Sequence, residues 1–242
     1  MKIEYHDTLP STIQYCELLD LSQVEEFTFV VARQQTAGIG QRGNHWEAAP
    51  GQNLSFSLIL HPTFLPIADQ FQLTKALSLG ITDWLQRLLP QHCVSIKWPN
   101  DIYVGLEKIC GTLTLAKISG STFASSNSGV GVNINQTTFS DWIPNPTSLS
   151  LLTGQTYDLD ALMDLLAQAL QVRYEQLRAD IHAPDAEYFS LLLNRGIPAR
   201  YLYRGKEITA TIDGVSHYGH LLLHTPEGQQ LVCQLKEIKS LL

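Results

Sequence analysis

"EFTFVVARQQTAGIGQRGNHWEAAPGQNLSFSLIL", residues 26–60, carries G-x-G-x-x-G from Gly38 to Gly43. In a dinucleotide-binding fold that spacing joins a strand to a helix, whose free N-terminal amides hold the pyrophosphate. The upstream half qualifies, because 26–33 is rich in β-branched and aromatic residues and predicts a strand. The downstream half does not. Pro50 and Gly51 follow Gly43 by seven and eight residues, where a helix would have to run, and the run at 53–60 predicts a second strand. No acid stands about twenty residues further on, where "LILHPTFLP" lies and a ribose would need one. The stretch is a long glycine-rich loop between two strands, and a Rossmann reading is excluded.

Outward from this loop the chain alternates helical and strand signals. Residues 11–21 predict a short helix capped by Ser11 or Thr12, and 71–89 an amphipathic helix stopped by Pro90. "VSIKW", "DIYV" and "KICGTLTLAKI" predict a meander of strands, and "SGVGVNIN" at 128–135 one more buried strand. Helices are expected at 158–180, capped by Asp158, and at 185–195, ending before Gly196. Beyond Gly196, "ARYLY", "EITATIDGVS", "GHLLLHT" and "QQLVCQLKEI" are short strands separated by turn residues, which suggests a small β-barrel leaning on a larger domain. The expected division is 1–195 and 196–242.

With 242 residues, 44% apolar and 16% charged, the composition is that of an ordinary globular protein, expected in the cytoplasm. A net charge of −7 without a basic stripe argues against DNA as a partner. Cys16, Cys93, Cys110 and Cys233 show no C-x-x-C spacing, which fits reduced thiols better than a disulfide framework or a zinc site. No apolar run reaches 18 residues, so no membrane span is expected. His217, His220 and His224 are spread over a turn and a strand and are not taken as metal ligands, Cys110 is taken as a core residue, and Glu25 and Glu26 as a solvated loop.

The chemistry concentrates in "KWPNDIYVGLEKICG", residues 97–111. Pro99 breaks the strand pattern, so Asn100 and Asp101 should stand at a bend between two strands. A turn at Gly105 then folds the next strand back so that Lys108 can approach the bend. Two ammoniums, a carboxylate and an amide suit an anionic substrate accompanied by a divalent cation.

KWPND followed by K-I-C-G resembles the hallmark of biotin protein ligases. "STIQY" at Ser11 is similar to the S-T-N segment of that family, "QTAGIGQRGNHW" to its Q-T-A-G-R-G-R loop, "GVGVNIN" to its G-φ-G-φ-N-φ-N strand and "LKEI" to the end of its small barrel. In order and spacing the likeness runs from residue 10 to the end of the chain. It implies an α+β (α/β) catalytic domain built like class II tRNA synthetases around a largely antiparallel sheet, with an SH3-like C-terminal barrel. It implies an ATP-dependent ligase that makes biotinyl-5′-AMP and then biotinylates a lysine of the biotin carboxyl carrier protein of a carboxylase. By motif match Ser11, Thr12, Gln35, Gly38, Ile39, Gly40, Gln41, Lys108 and Gly111 would hold biotin. Trp46, Lys97, Asn100, Asp101 and Asn133 would line the ATP side, with Asp101 also on Mg²⁺ and Lys108 as the catalytic cation. A homodimer is compatible with such a sheet. About ten residues precede Ser11, too few for the DNA-binding module that some members carry.

The sequence also departs from the family pattern. Ile39, Gln41 and Asn44 stand where arginines are usual, Ile13 replaces the Asn of S-T-N, and Leu115 takes the place of an acid. A charge-assisted hydrogen bond is worth roughly 1.5–3 kcal/mol, so two lost ligand contacts would weaken binding by roughly two to four decades. Arg42 is the neighbouring cation that could compensate. These departures keep open a lipoate or octanoate ligase or transferase of the same fold, and a degenerate protein that binds biotin or its carrier without turnover.

Overall fold

The computed structural model describes residues 1–241, the side chain of Arg42 excepted. The chain runs β1 (Lys2–Leu9), α1 (Thr12–Glu17), β2 (Thr28–Gln35), β3 (Leu54–Leu60), α2 (Gln70–Leu88), β4 (Val94–Lys97), β5 (Asp101–Val104), β6 (Glu107–Ser119) and β7 (Thr122–Val132). It continues through α3 (Leu149–Thr153), α4 (Leu159–Ala179) and α5 (Asp185–Ser190) to β8 (Ala199–Tyr203), β9 (Lys206–Val215), β10 (Leu221–His224), β11 (Gln230–Cys233) and β12 (Ile238–Ser240). The first seven strands form one sheet in the order β1-β2-β3-β7-β6-β5-β4, and the last five a second, antiparallel sheet in the order β11-β10-β9-β8-β12.

The larger sheet is antiparallel except where β1 pairs with β2. Its inner strand β3 is buried along its whole length because both faces are covered. Leu54, Phe56, Leu58 and Leu60 point into the core shared with α2 and α4, while Ile59 joins Val30, Ala32, Cys16 and Leu21 in a smaller cluster beneath α1. Helix α4 starts where Asp158 accepts from the amides of Asp160 and Ala161. Arg173 of α4 donates to Asp83 of α2 (2.6 Å) and to Glu187 of α5 (2.6 Å), tying the three helices together. Among the described residues no helix is long and apolar enough to cross a membrane.

The structure revises several expectations. Strand β1 has no counterpart in the sequence reading: it is an edge strand whose exposed residues are polar, so its alternation is weak. Strand β7 begins six residues before the predicted 128 and ends at Val132, and helix α5 ends at Ser190 instead of 195. The last predicted run divides, because residues 234–237 turn and leave β12 as a fifth strand. Ser11 is the residue before α1, yet its side chain makes no capping hydrogen bond.

Glu26 is not the solvated loop residue expected. Its carboxylate accepts from Tyr174 Oη (2.8 Å), the His61 amide (3.0 Å) and Arg178 Nη2 (2.6 Å), joining the start of β2 to α4. Burial pushes its pKa up, but the donors from Tyr174, Arg178 and His61 outweigh it and hold the carboxyl below its ordinary 4.5. A carboxyl held low in the fold contributes stability that is complete above the unfolded value and is lost as pH falls through the folded one. Urea titrations of wild type and Glu26→Gln should therefore differ at pH 7 and converge as pH falls below about 4.5. A constant difference down to pH 3 would remove Glu26 from the acid limb.

Candidate active site

The floor of the site is a trough in the larger sheet made by missing Cβ atoms. Gly111 of β6 pairs with Gly131 of β7, and Gly129 with Leu113. Because side chains alternate along a strand, Gly129 and Gly131 open onto the same face. A Cβ on Gly131 would meet the Trp46 ring at 2.3 Å, and one on Gly129 would meet Ile13 Cδ1 at 2.3 Å. Lys108 Nζ and Trp46 both come within about 3.2 Å of where a Gly111 Cβ would be. The trough is the lower wall of a cavity of about 450 Å³.

Three segments build the other walls. At one end, Ser11 and Thr12 are buried at the start of α1, and the Thr12 amide donates to Gln35 Oε1 at the end of β2 (2.8 Å). Above, the glycine loop folds back on itself: Gly40 N donates to Asn44 O (2.7 Å) and Trp46 N to Gly38 O (2.9 Å). Gly38 has no room for a Cβ, which would lie 2.4 Å from Trp46 O, and Gly43 has φ +77°. At the other end the bend delivers Lys97 and Asp101 to the cavity wall.

Lys108 is aimed by a strand irregularity. Asp101 pairs with Gly111 and Ile102 with Cys110, but Tyr103 pairs with Lys108, so Ile109 is the extra residue of a bulge. The Lys108 backbone is fixed by Lys108 N to Asn145 O (2.6 Å) and Thr147 N to Lys108 O (2.9 Å). Its ammonium pairs with Asp101 Oδ1 at 2.8 Å and sits 5.5 Å from the Trp46 ring centroid. Lys97 Nζ is 5.6 Å from the Tyr103 ring centroid. Burial drives the Cys110 thiol far up, so it remains a protonated core residue beside these cations.

Of the predicted site residues, Ser11, Thr12, Gln35, Ile39, Gly40, Gln41, Trp46, Lys97, Asp101, Lys108 and Gly111 share this one cavity. Gly38 lies just behind it. Asn100 and Asn133 do not line it: both are buried, Asn100 Nδ2 donating to Thr112 O and Asn133 Nδ2 to Thr147 O (2.9 Å). The Arg42 side chain lies outside the described residues. The Trp46 ring rests on Gly131 with Nε1 buried and unpartnered among the described residues. Sequence reasoning missed Gly129 and Gly131, although G-x-G at strand period was the available signal. It also missed Tyr201 of the second sheet, which borders the cavity with a buried hydroxyl that has no partner among the described residues. Burial pushes that hydroxyl up to about 12.

Asp101 is the one carboxylate on the cavity wall, and no group of three or more His, Cys, Asp or Glu side chains forms a metal cage among the described residues. Mg²⁺ usually binds through one or two carboxylates plus substrate phosphates. The residues therefore fit an ion that arrives with a nucleotide better than a resident metal.

The chain belongs to the Biotin/lipoate A/B protein ligase family, whose profile matches residues 5–133. It is 30% identical over 233 residues to the bifunctional ligase/repressor BirA of Bacillus subtilis (strain 168), covering 93% of this chain and 70% of that protein. It is 29% identical to a biotin–[acetyl-CoA-carboxylase] ligase of Paracoccus denitrificans, covering 84% and 87%. Among solved structures it is similar to the biotin protein ligase from Aquifex aeolicus in complex with biotin and ATP, with 23% identity, a TM-score of 0.82 and 99% of each chain covered.

Gly131→Ala should displace the Trp46 ring while leaving the sheet folded. The Trp46 share of the fluorescence, taken by difference against Trp46→Phe, should shift to longer wavelength with melting temperature changed by a few degrees at most. An unshifted spectrum would mean that the ring does not rest on the trough.

Proposed function

We propose that this chain activates biotin with ATP to biotinyl-5′-AMP and transfers the biotinyl group to a lysine of the carrier domain of a biotin-dependent carboxylase. The observation that carries this reading is the position of Lys108. Its ammonium pairs with Asp101 and lies beside the Gly111 backbone, on the wall of a cavity that Ser11, Thr12, Gln35 and Lys97 also line. Both reactants of the first step are anions, so what the protein must supply is alignment and positive charge.

In this assignment Ser11, Thr12 and Gln35 hold the ring end of the acid, and the Ile39–Gln41 backbone closes over its tail. The carboxylate then lies beside Lys108, with the nucleotide α-phosphate on the far side. Lys97 and Lys108 offset the charge that builds up as the carboxylate oxygen attacks phosphorus and pyrophosphate leaves. Asp101 holds Lys108 in place, and it is the residue that would hold Mg²⁺, which supplies charge neutralisation to the phosphates when bound. In the second step the carrier lysine amine attacks the acyl carbon and AMP departs. Trp46 is assigned to the adenine side. Asn100 and Asn133 act from behind the wall through the backbone they hold. Pairing of two copies along the exposed edge of β1 belongs to the same reading, since an edge strand offers unpaired backbone groups.

A second reading has an observation of its own. Ile13 fills the trough over Gly129 and Ile39 lines the cavity, so a more apolar acid such as lipoate or octanoate is the competitor. Acid-dependent ATP–pyrophosphate exchange separates the two. Biotin is expected to drive exchange, and lipoate and octanoate to drive far less. Lys108→Ala should lower the rate by about 10²–10³, the size of one lost electrostatic contact in a transition state. Exchange with lipoate or octanoate instead would move the assignment, and biotin binding without any exchange would make the protein a binder. If the missing arginines limit the reaction, Ile39→Arg with Gln41→Arg should tighten the acid by at least tenfold in the same assay.

A further inference from the structure

Each residue of the bend between β4 and β5 is tied to a different element. Trp98 Nε1 donates to Gly219 O in the β9–β10 turn (3.0 Å), Tyr188 Oη of α5 donates to Pro99 O (2.7 Å), and Asn100 Nδ2 donates to Thr112 O of β6. The Asn100 contact is local to the sheet. The other two come from outside it, and they share a support. The Tyr188 ring, 1% exposed, packs edge-on against Phe71 of α2 with centroids 5.7 Å apart. Gly219 has φ +84°, and a Cβ there would fall 2.5 Å from the same Phe71 ring. Lys75 Nζ lies 5.6 Å and 6.0 Å from the Phe71 and Tyr188 centroids and pairs with Asp185 at 2.5 Å.

Neither Tyr188 nor Gly219 borders the cavity, so they reach the chemistry only through the bend. The bend ends at Asp101, the partner of Lys108. Loss of either hydrogen bond frees the Trp98–Pro99 backbone, and the carboxylate that holds Lys108 moves with it. The Ser11–Thr12–Gln35 end of the cavity is built on α1 and β2 and has no part in this support.

We infer that Tyr188 of α5 and Gly219 of the second sheet are positioning residues for the nucleotide side of the site, holding Asp101 and thereby Lys108 in register through the 98–100 bend. The second sheet, whose Tyr201 and Leu221 also border the cavity, is on this view part of the adenylation machinery. The inference rests on the biotin-activating reading for its kinetic form and on geometry alone for its structural form.

Tyr188→Phe removes one hydroxyl from a buried ring, and Gly219→Ala disturbs the support from the opposite side. In the full-length chain, amide hydrogen exchange over residues 97–104 should quicken by about tenfold in both variants, the scale of one lost hydrogen bond to a buried carbonyl. Exchange in β2 and α1 should stay as in wild type. Turnover in biotin-dependent ATP–pyrophosphate exchange should fall by about tenfold, a larger change than that in the biotin dissociation constant from calorimetry, because the Ser11, Thr12 and Gln35 contacts assigned to the ring end of the acid stay in place; transfer from supplied biotinyl-5′-AMP should change less than twofold. Unchanged protection over 97–104 overturns the inference whether or not the chain is active. So does a parallel loss of biotin binding, exchange and transfer, which marks a general loss of fold. Wild-type protein that shows no exchange with any acid refutes the functional reading instead, and the hydrogen-exchange comparison still decides the positioning role.

Discussion

The site depends on two backbones meeting without side chains between them. Gly111 and Gly131 face each other across the β6–β7 ladder, and the volume their Cβ atoms would fill is taken by the Trp46 ring and the Lys108 ammonium. Any other residue at Gly131 would collide with the indole, and the glycine loop that carries Trp46 would have to lift. The absence of a side chain at Gly111 also brings the Lys108 ammonium close to the backbone of the sheet interior. The Ile109 bulge complements the trough, since without the extra residue Lys108 would be directed to the other face. The Lys108–Asp101 pair is partly exposed at both ends and adds little to stability. Its value is the fixed position of one positive charge.

Stability and function are carried by different parts of the molecule. The helices α2, α4 and α5 are locked by the bidentate contacts of Arg173 and by a continuous apolar core under β3. Trp46 Nε1 and Tyr201 Oη border the cavity buried and without a partner among the described residues, but so are Gln72 Oε1, Ser78 Oγ and Trp84 Nε1 within α2. Each such atom costs about 1–3 kcal/mol.

The glycine loop shows how a family pattern can change while its frame persists. Ile39 and Gln41 line the cavity where the resembled family has arginines, yet the loop still closes through its own backbone, from Gly40 to Asn44 and from Trp46 to Gly38. The loop is further held from outside, where Ser140 Oγ donates to Glu47 (2.5 Å) and the Ala49 amide donates to Gln136 (2.9 Å). Its position therefore does not depend on the missing guanidinium groups. Among the described residues, the lysines that line the cavity are Lys97, Lys108 and Lys239.

Much of this was legible in the sequence, for local reasons. Pro50 and Gly51 ruled out a helix after the glycines, the periodicity of 71–89 and 158–180 defined α2 and α4, and Pro99 in an apolar run marked the bend. Most of the residues picked out by motif order, from Ser11 and Gln35 to Lys97 and Lys108, line one cavity in the fold. Other features had no local signature. Strand β1 is held by its pairing to β2, the aim of Lys108 by a bulge in a ladder, and Glu26 by donors more than thirty residues away. The second sheet looked like an appendage, since nothing in "SHYGH" says that Gly219 will meet Trp98. Periodicity and turn chemistry are written residue by residue, so the sequence determined the elements and the chemistry available to them. Which distant groups close on the same few atoms is set by packing, and only the tertiary structure decided it.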